Sequence, residues 1–107
     1  MDLENYKGMY TLLIGFYEGS DRKKAAEKAA AAIRLAGDEG FFLNGPKRSL
    51  VTVGLFTEND MPDGQFGSKI KDMQKKYPHY SANGVTIVEF EHGQRLGEKP
   101  SLLMQIE

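Results

Sequence analysis

The run Met9-Tyr10-Thr11-Leu12-Leu13-Ile14-Gly15-Phe16-Tyr17 decides the fold. Apolar, aromatic and β-branched side chains fill it, and it is far shorter than a membrane span, so it reads as a central strand. Just beyond it, Ser20-Asp21 offers the short polar side chains that favour a helix N-cap. The stretch Arg22 to Ala36 then holds seven alanines and neither Gly nor Pro, which specifies a helix. Ala26, Ala29, Ala30, Ile33 and Ala36 repeat at helical spacing, and their small size lets the helix lie close against a sheet. Gly37 is placed to end it in a left-handed conformation.

Working outward, Gly40-Phe41-Phe42-Leu43 reads as a second strand, and Asn44-Gly45-Pro46 as a hairpin turn. The return strand is Ser49 to Phe56, with Val51, Val53 and Leu55 expected on one face and Leu50 and Thr52 on the other. A polar loop covers Thr57 to Gly67. Ser68 is expected to cap a second helix whose stripe is Ile70, Met73 and Tyr77, stopped by Pro78, with Tyr80 packed behind Tyr77. Gly84 to Glu91 alternates as the last core strand, and Ser101 to Glu107 looks like one further strand. The expected fold is therefore α+β, a ferredoxin-like or RNP-like βαββαβ antiparallel sheet with two helices on one face and an extra C-terminal strand. One domain spans residues 1–107, with its core at about 9–91 and an extension at 92–107.

Composition narrows the function. Fourteen Lys and Arg against fifteen Asp and Glu leave a net charge of −1, so no strong field points at nucleic acid or an anionic membrane. Arg22-Lys23-Lys24 and Lys75-Lys76 fall in helical patterns and read as solvated faces. The absence of Cys excludes disulfides, thiolate metal sites and a cysteine nucleophile. His79 and His92 have no partner at ligand spacing, and no phosphate-loop or nucleophile-elbow pattern occurs. Glu89 and Glu91 face the same side of an expected edge strand, where carboxylates discourage edge-to-edge pairing. These features point to a non-catalytic module with no cofactor, no metal and no membrane span. Met1 to Lys7 lacks the basic-then-apolar pattern of a signal peptide.

Tyr10-Thr11-Leu12-Leu13-Ile14-Gly15-Phe16-Tyr17, the alanine-rich helix ending near a Gly, and Ser49-Leu50-Val51-Thr52-Val53-Gly54-Leu55-Phe56 together resemble the SPOR (sporulation-related) domain family. The likeness covers roughly residues 9–91. It implies a binding module for peptidoglycan glycan strands, in the cell envelope or periplasm, with a cytoplasmic location left open because no signal-peptide or anchor pattern is visible in these residues. The chain departs from the family at the open sheet face. Leu13 stands where the family carries Gln, Phe16 where it often carries Ser, and Leu50 and Thr52 where Arg or another polar group is usual. A sugar chain needs convergent donors and acceptors, which Leu13 and Leu50 do not supply. The candidate ligand-binding residues are Thr11, Leu13, Phe16, Leu50 and Thr52 on the open face, with Tyr17, Lys47 and Arg48 at its rim.

Two further readings stand beside the glycan. Leu13, Leu50, Phe16 and the terminal strand favour a protein-interaction or self-association module. In that case Leu102 to Ile106, or a second copy of the chain in a homodimer, covers part of the face. RNA binding by an RNP-like sheet is weaker, because Thr11, Leu13 and Gly15 supply no aromatic on the central strand.

Overall fold

The computed structural model describes residues 6–106. The stretch Met1 to Lys7, read as lacking a signal-peptide pattern, therefore falls largely outside the described residues, as does Glu107 at the end of the expected last strand. The chain forms an α+β fold with two helices and a mixed sheet. In chain order the elements are β1 (Tyr10–Tyr17), α1 (Arg22–Leu35), β2 (Gly40–Asn44), β3 (Ser49–Phe56), α2 (Ser68–Lys76), β4 (Ser81–Ala82), β5 (Val85–Thr86), β6 (Val88–Glu91), β7 (Gln94–Glu98) and β8 (Leu102–Gln105). Two short 3-10 turns, Glu58–Asp60 and Pro62–Gly64, lie in the loop between β3 and α2.

β1 and β3 run antiparallel side by side, and β2 pairs with β3 at one edge of the sheet. Both helices pack on the same face. Ala26 and Ile33 of α1 and Ile70 of α2 join Leu12, Val51, Val53 and Phe56 in one buried cluster, fringed by Tyr10, Ile14, Tyr17, Phe42, Met73, Tyr77 and Leu103. The alanines do what their size suggests: Ala26 and Ala30 are fully buried, whereas Ala36 is the exposed C-cap. Gly37, at φ 96°, ends the helix, and the Asp38 N–H donates back to the Ile33 carbonyl. Neither expected cap forms through its side chain. Asp21 precedes α1 without a side-chain bond, and Gly67 rather than Ser68 occupies the N-cap of α2.

Residues 84–91 do not take the place beside β1 expected of the last core strand. Asn83 and Gly84 both have positive φ, 52° and 84°, and turn the chain back so that β5 pairs with β4. Asn-Gly here is the two-residue hairpin turn that the same dipeptide does not make at Asn44-Gly45, where residues 45–48 bridge the strands. The other edge of β1 is shared end to end. β4 pairs parallel with Gly15 and Phe16, and β8 pairs antiparallel with Tyr10 to Leu13. The C-terminal segment is thus a strand of the main sheet, paired on one side with β1, and no mere extension. Leu103 feeds the helix-side cluster and Ile106, just beyond β8, feeds the far side, while Leu102 stays exposed. Residues 84–91, which carry Thr86, Glu89 and Glu91, reach the main sheet only as the edge strand β5. They continue instead into β6–β7, a separate two-stranded sheet.

Two irregularities in the β1–β3 ladder redirect side chains. Opposite the step from Tyr10 to Leu12, β3 advances from Phe56 to Val53, so β3 carries an extra residue. Gly54 at φ 79° forms that bulge, and the Thr11 hydroxyl donates to its carbonyl at 2.7 Å. Leu55 is consequently turned away from Val51 and Val53 and packs with Phe41 and Ile106 on the far side. A second bulge, at Ile14 of β1, pairs Phe16 with Leu50 and sends Tyr17 to the helix side.

If residues 102–106 rather than 84–91 contribute to the core, Ile106→Ala should cost about 2–5 kcal/mol, as large-to-small core changes do. Val85→Thr, at a position 70% exposed, should stay within about 0.5 kcal/mol. Urea unfolding of both variants measures this, and the reverse ranking would contradict the topology.

Candidate functional site

The face opposite the helices divides in two. At one end Phe41 and Ile106 are buried together with Tyr6, Met9, Leu43 and Leu55 around them. Backbone bonds fasten this cover: the Gly8 N–H donates to the Ile106 carbonyl and the Ile106 N–H donates to the Met9 carbonyl, both at 2.7 Å. Thr11 and Thr52 lie fully buried here, and the Thr52 hydroxyl has no hydrogen-bond partner among the described residues. The expectation that the C-terminal strand covers the face is met only through Ile106, because β8 itself extends the sheet in its own plane.

The other end remains open. Here the β2–β3 connection and β3 form a cleft of about 360 Å³ lined by Leu43, Gly45, Pro46, Lys47, Arg48 and Leu50. Its geometry starts at α1, where Arg22 donates to the Ser49 hydroxyl at 2.8 Å and Ser49 donates to Asn44 at 2.7 Å. This chain of bonds ties the helix start to both arms of the hairpin. Leu43 sits opposite Leu50 in the ladder, which places both on the open face. Arg48 crosses that face with its guanidinium carbon 4.3 Å from the centre of the Phe16 ring, and its Nε donates to Glu18 at 3.2 Å. The ion pair is exposed and adds little energy, but it fixes where the guanidinium lies.

Phe16 in turn packs on Tyr80, ring centres 5.7 Å apart, and Lys99 stands 4.9 Å from the Tyr80 ring. The result is a row of cation, ring, ring and cation. Both rings are only 7% exposed, so their faces are already occupied. Burial pushes the Tyr80 hydroxyl pKa up, with the nearby Arg48 charge opposing. Tyr80 therefore belongs to the far face with Phe16, and does not pack behind Tyr77 as its spacing suggested.

Of the residues singled out in the sequence, Lys47, Arg48 and Leu50 line the cleft, and Phe16 lies beneath Arg48 outside that lining. Leu13 is half-buried beside Thr52 and Leu102. Thr11 and Thr52 are sealed in, and Tyr17 lies on the helix side, away from the rim where it was expected. Leu43, Pro46 and Glu18 were missed, and Tyr80 was read as core behind Tyr77. The alternation of Phe41 and Leu43 against Leu50 and Thr52 signals Leu43, whereas nothing local signals Tyr80. Among the described residues no group of three or more His, Asp or Glu side chains stands close enough to hold a metal ion. No helix described is long and apolar enough to cross a membrane.

A second polar cluster serves the fold. The Asp38 carboxylate accepts from the Lys76 ammonium at 3.0 Å and from the Tyr77 hydroxyl at 2.8 Å, tying the α1–β2 loop to the end of α2. These bonds, Lys76 foremost, hold the Asp38 carboxyl below its ordinary range. Burial first, and then the bond to Asp38, pushes the Tyr77 pKa up to about 12.

No protein-family model, curated protein or solved structure matches this chain significantly.

The raised Tyr77 pKa favours the neutral phenol in the folded state, so its contribution is complete below the ordinary value of 10.0 and is lost as pH rises toward about 12. Asp38 works in the opposite sense, contributing above its ordinary value of 3.8 and losing that contribution as pH falls below it. In urea unfolding at a series of pH values, Tyr77→Phe should flatten the alkaline decline. An unchanged alkaline slope would show that the phenol is free in solution.

Proposed function

We propose that this chain is a non-catalytic protein-binding module, which seats an apolar side chain of an acidic segment in the Leu43–Pro46–Leu50 cleft. The observation that carries this reading is the division of chemistry at the open end of the far face. Leu43, Pro46 and Leu50 make apolar walls, and the charges that line the cleft, Lys47 and Arg48, are both positive. A partner that fills it leaves an apolar group inside and carboxylates at the rim, the usual layout of an interaction site.

The glycan strand implied by the SPOR resemblance is the competing ligand, with the envelope as its location. Sugar rings stack on open aromatic faces and hydrogen-bond through many hydroxyls. Here Arg48 lies over Phe16, Thr11 is already bonded to Gly54, and Thr52 is sealed beneath the sheet surface. RNA would likewise need an unstacked ring on the central strands. Phe16 occupies such a position but is covered.

Fluorescent extended peptides with Glu flanking a single Phe or Leu should bind, and matched peptides with Lys in place of Glu should not. Leu50→Asp should weaken the acidic peptides by about tenfold or more, as loss of a central contact does. Retention on peptidoglycan sacculi stripped of stem peptides, with no peptide binding, would overturn the proposal in favour of the glycan. Salt-sensitive capture of single-stranded RNA, again with no peptide binding, would overturn it in favour of nucleic acid.

A further inference from the structure

We infer that the cleft takes the β6–β7 hairpin of a second copy of this chain, an inference that rests on the protein-binding reading above. The hairpin has the exposed surface of an element meant to be covered. It forms its own two-stranded sheet and does not pair with the main one. Its roots are backbone bonds, from the Ile87 N–H to the Tyr80 carbonyl and from the Lys99 N–H to the Ile87 carbonyl. Beyond them Phe90 is 65% exposed and Leu96 59%. An isolated two-stranded hairpin is marginal in water, and large apolar groups on it gain most from a partner.

The charges match the cleft. Residues 88–98 carry Glu89, Glu91 and Glu98 against Arg95 alone, and Arg95 is drawn to Glu98 at 3.5 Å. Glu89 and Glu91 have no ion pair to a Lys or Arg among the described residues. At the cleft, Lys47 and Arg48 face solvent with Glu18 as the neighbouring counter-charge. An acidic arm that exposes Phe90 thus complements a basic-rimmed apolar cleft. The two features lie along one continuous row of side chains, Arg48 on Phe16, Phe16 on Tyr80 and Lys99 on Tyr80, with Lys99 at the root of the hairpin. Arm and cleft being close on one molecule, two copies related by a two-fold axis can exchange them reciprocally, which closes the assembly as a dimer.

Sedimentation velocity from low micromolar to millimolar protein tests this. The wild-type chain should pass from monomer to dimer. A Lys47→Glu/Arg48→Glu variant and a Glu89→Lys/Glu91→Lys variant should each remain monomeric, since each sets like charges against each other at both contacts. An equimolar mixture of the two should dimerise again, because every contact in the mixed pair is complementary. Phe90→Ser, which alters no charge, should weaken dimerisation by about tenfold or more. Circular dichroism of each variant confirms that it is folded. A wild-type chain that stays monomeric throughout, or a mixture that fails to recover, overturns the inference. If the monomeric wild type still binds the acidic peptides in a manner sensitive to Leu50→Asp, the protein-binding reading stands without it. If it binds neither, both fall.

Discussion

The hydrogen bond from the Thr11 hydroxyl to the Gly54 carbonyl holds together the feature on which the rest of the molecule depends, the twice-interrupted ladder between β1 and β3. A strand alternates strictly, and one extra residue exchanges the faces of everything beyond it. Gly54 supplies that residue in β3 at a left-handed φ, and a Cβ there would lie 2.7 Å from the Phe56 ring. Past the bulge Phe56 turns into the helix-side core and Leu55 into the far-side cluster. The bulge at Ile14 does the same for β1, bringing Phe16 over to Leu50 and sending Tyr17 under the helices. Without these two insertions neither the sealed end of the far face nor the pairing of Phe16 with Leu50 beside the cleft would exist.

The far face then becomes two regions with different duties. Around Phe41 the terminal residues close over the sheet and bury Thr11 and Thr52. Around Phe16 the sheet is covered by charged side chains, which stack on the rings and keep their heads in water. A net charge of −1 conceals this arrangement, because basic groups collect at the cleft while carboxylates collect on the projecting hairpin.

Much of the framework is legible in the sequence because local and global preferences agree there. The apolar run at 10–17, the alanine-rich helix and the strand at 49–56 carry the same signal in composition, spacing and flanking residues. The bulges are not legible, because period-two reading has no term for an inserted residue. It therefore put Leu55 with Val53, and Tyr17 with the rim. The choice between residues 84–91 and 102–106 for the place beside β1 was equally hidden. Both alternate, and what separates them is burial on two faces, which Leu103 and Ile106 satisfy and Glu89 and Glu91 do not. At the candidate site Lys47, Arg48 and Leu50 could be found from the hairpin turn. Tyr80 reaches Phe16 only through the path of the chain after α2, so no local pattern marks it.

The placement of the Phe16 ring is the most direct test, and nuclear Overhauser contacts from assigned aromatic protons measure it. The account predicts contacts from Phe16 to the Leu50 methyls, to the Tyr80 ring and to the Arg48 methylenes, with those methylenes shifted upfield by the ring beneath them. Tyr17 should contact side chains of the helix-side core instead. Contacts from Phe16 to Val51 and Ile33, with Tyr17 beside Leu50, would mean that β1 runs without its bulge, and the cleft as described here would not exist.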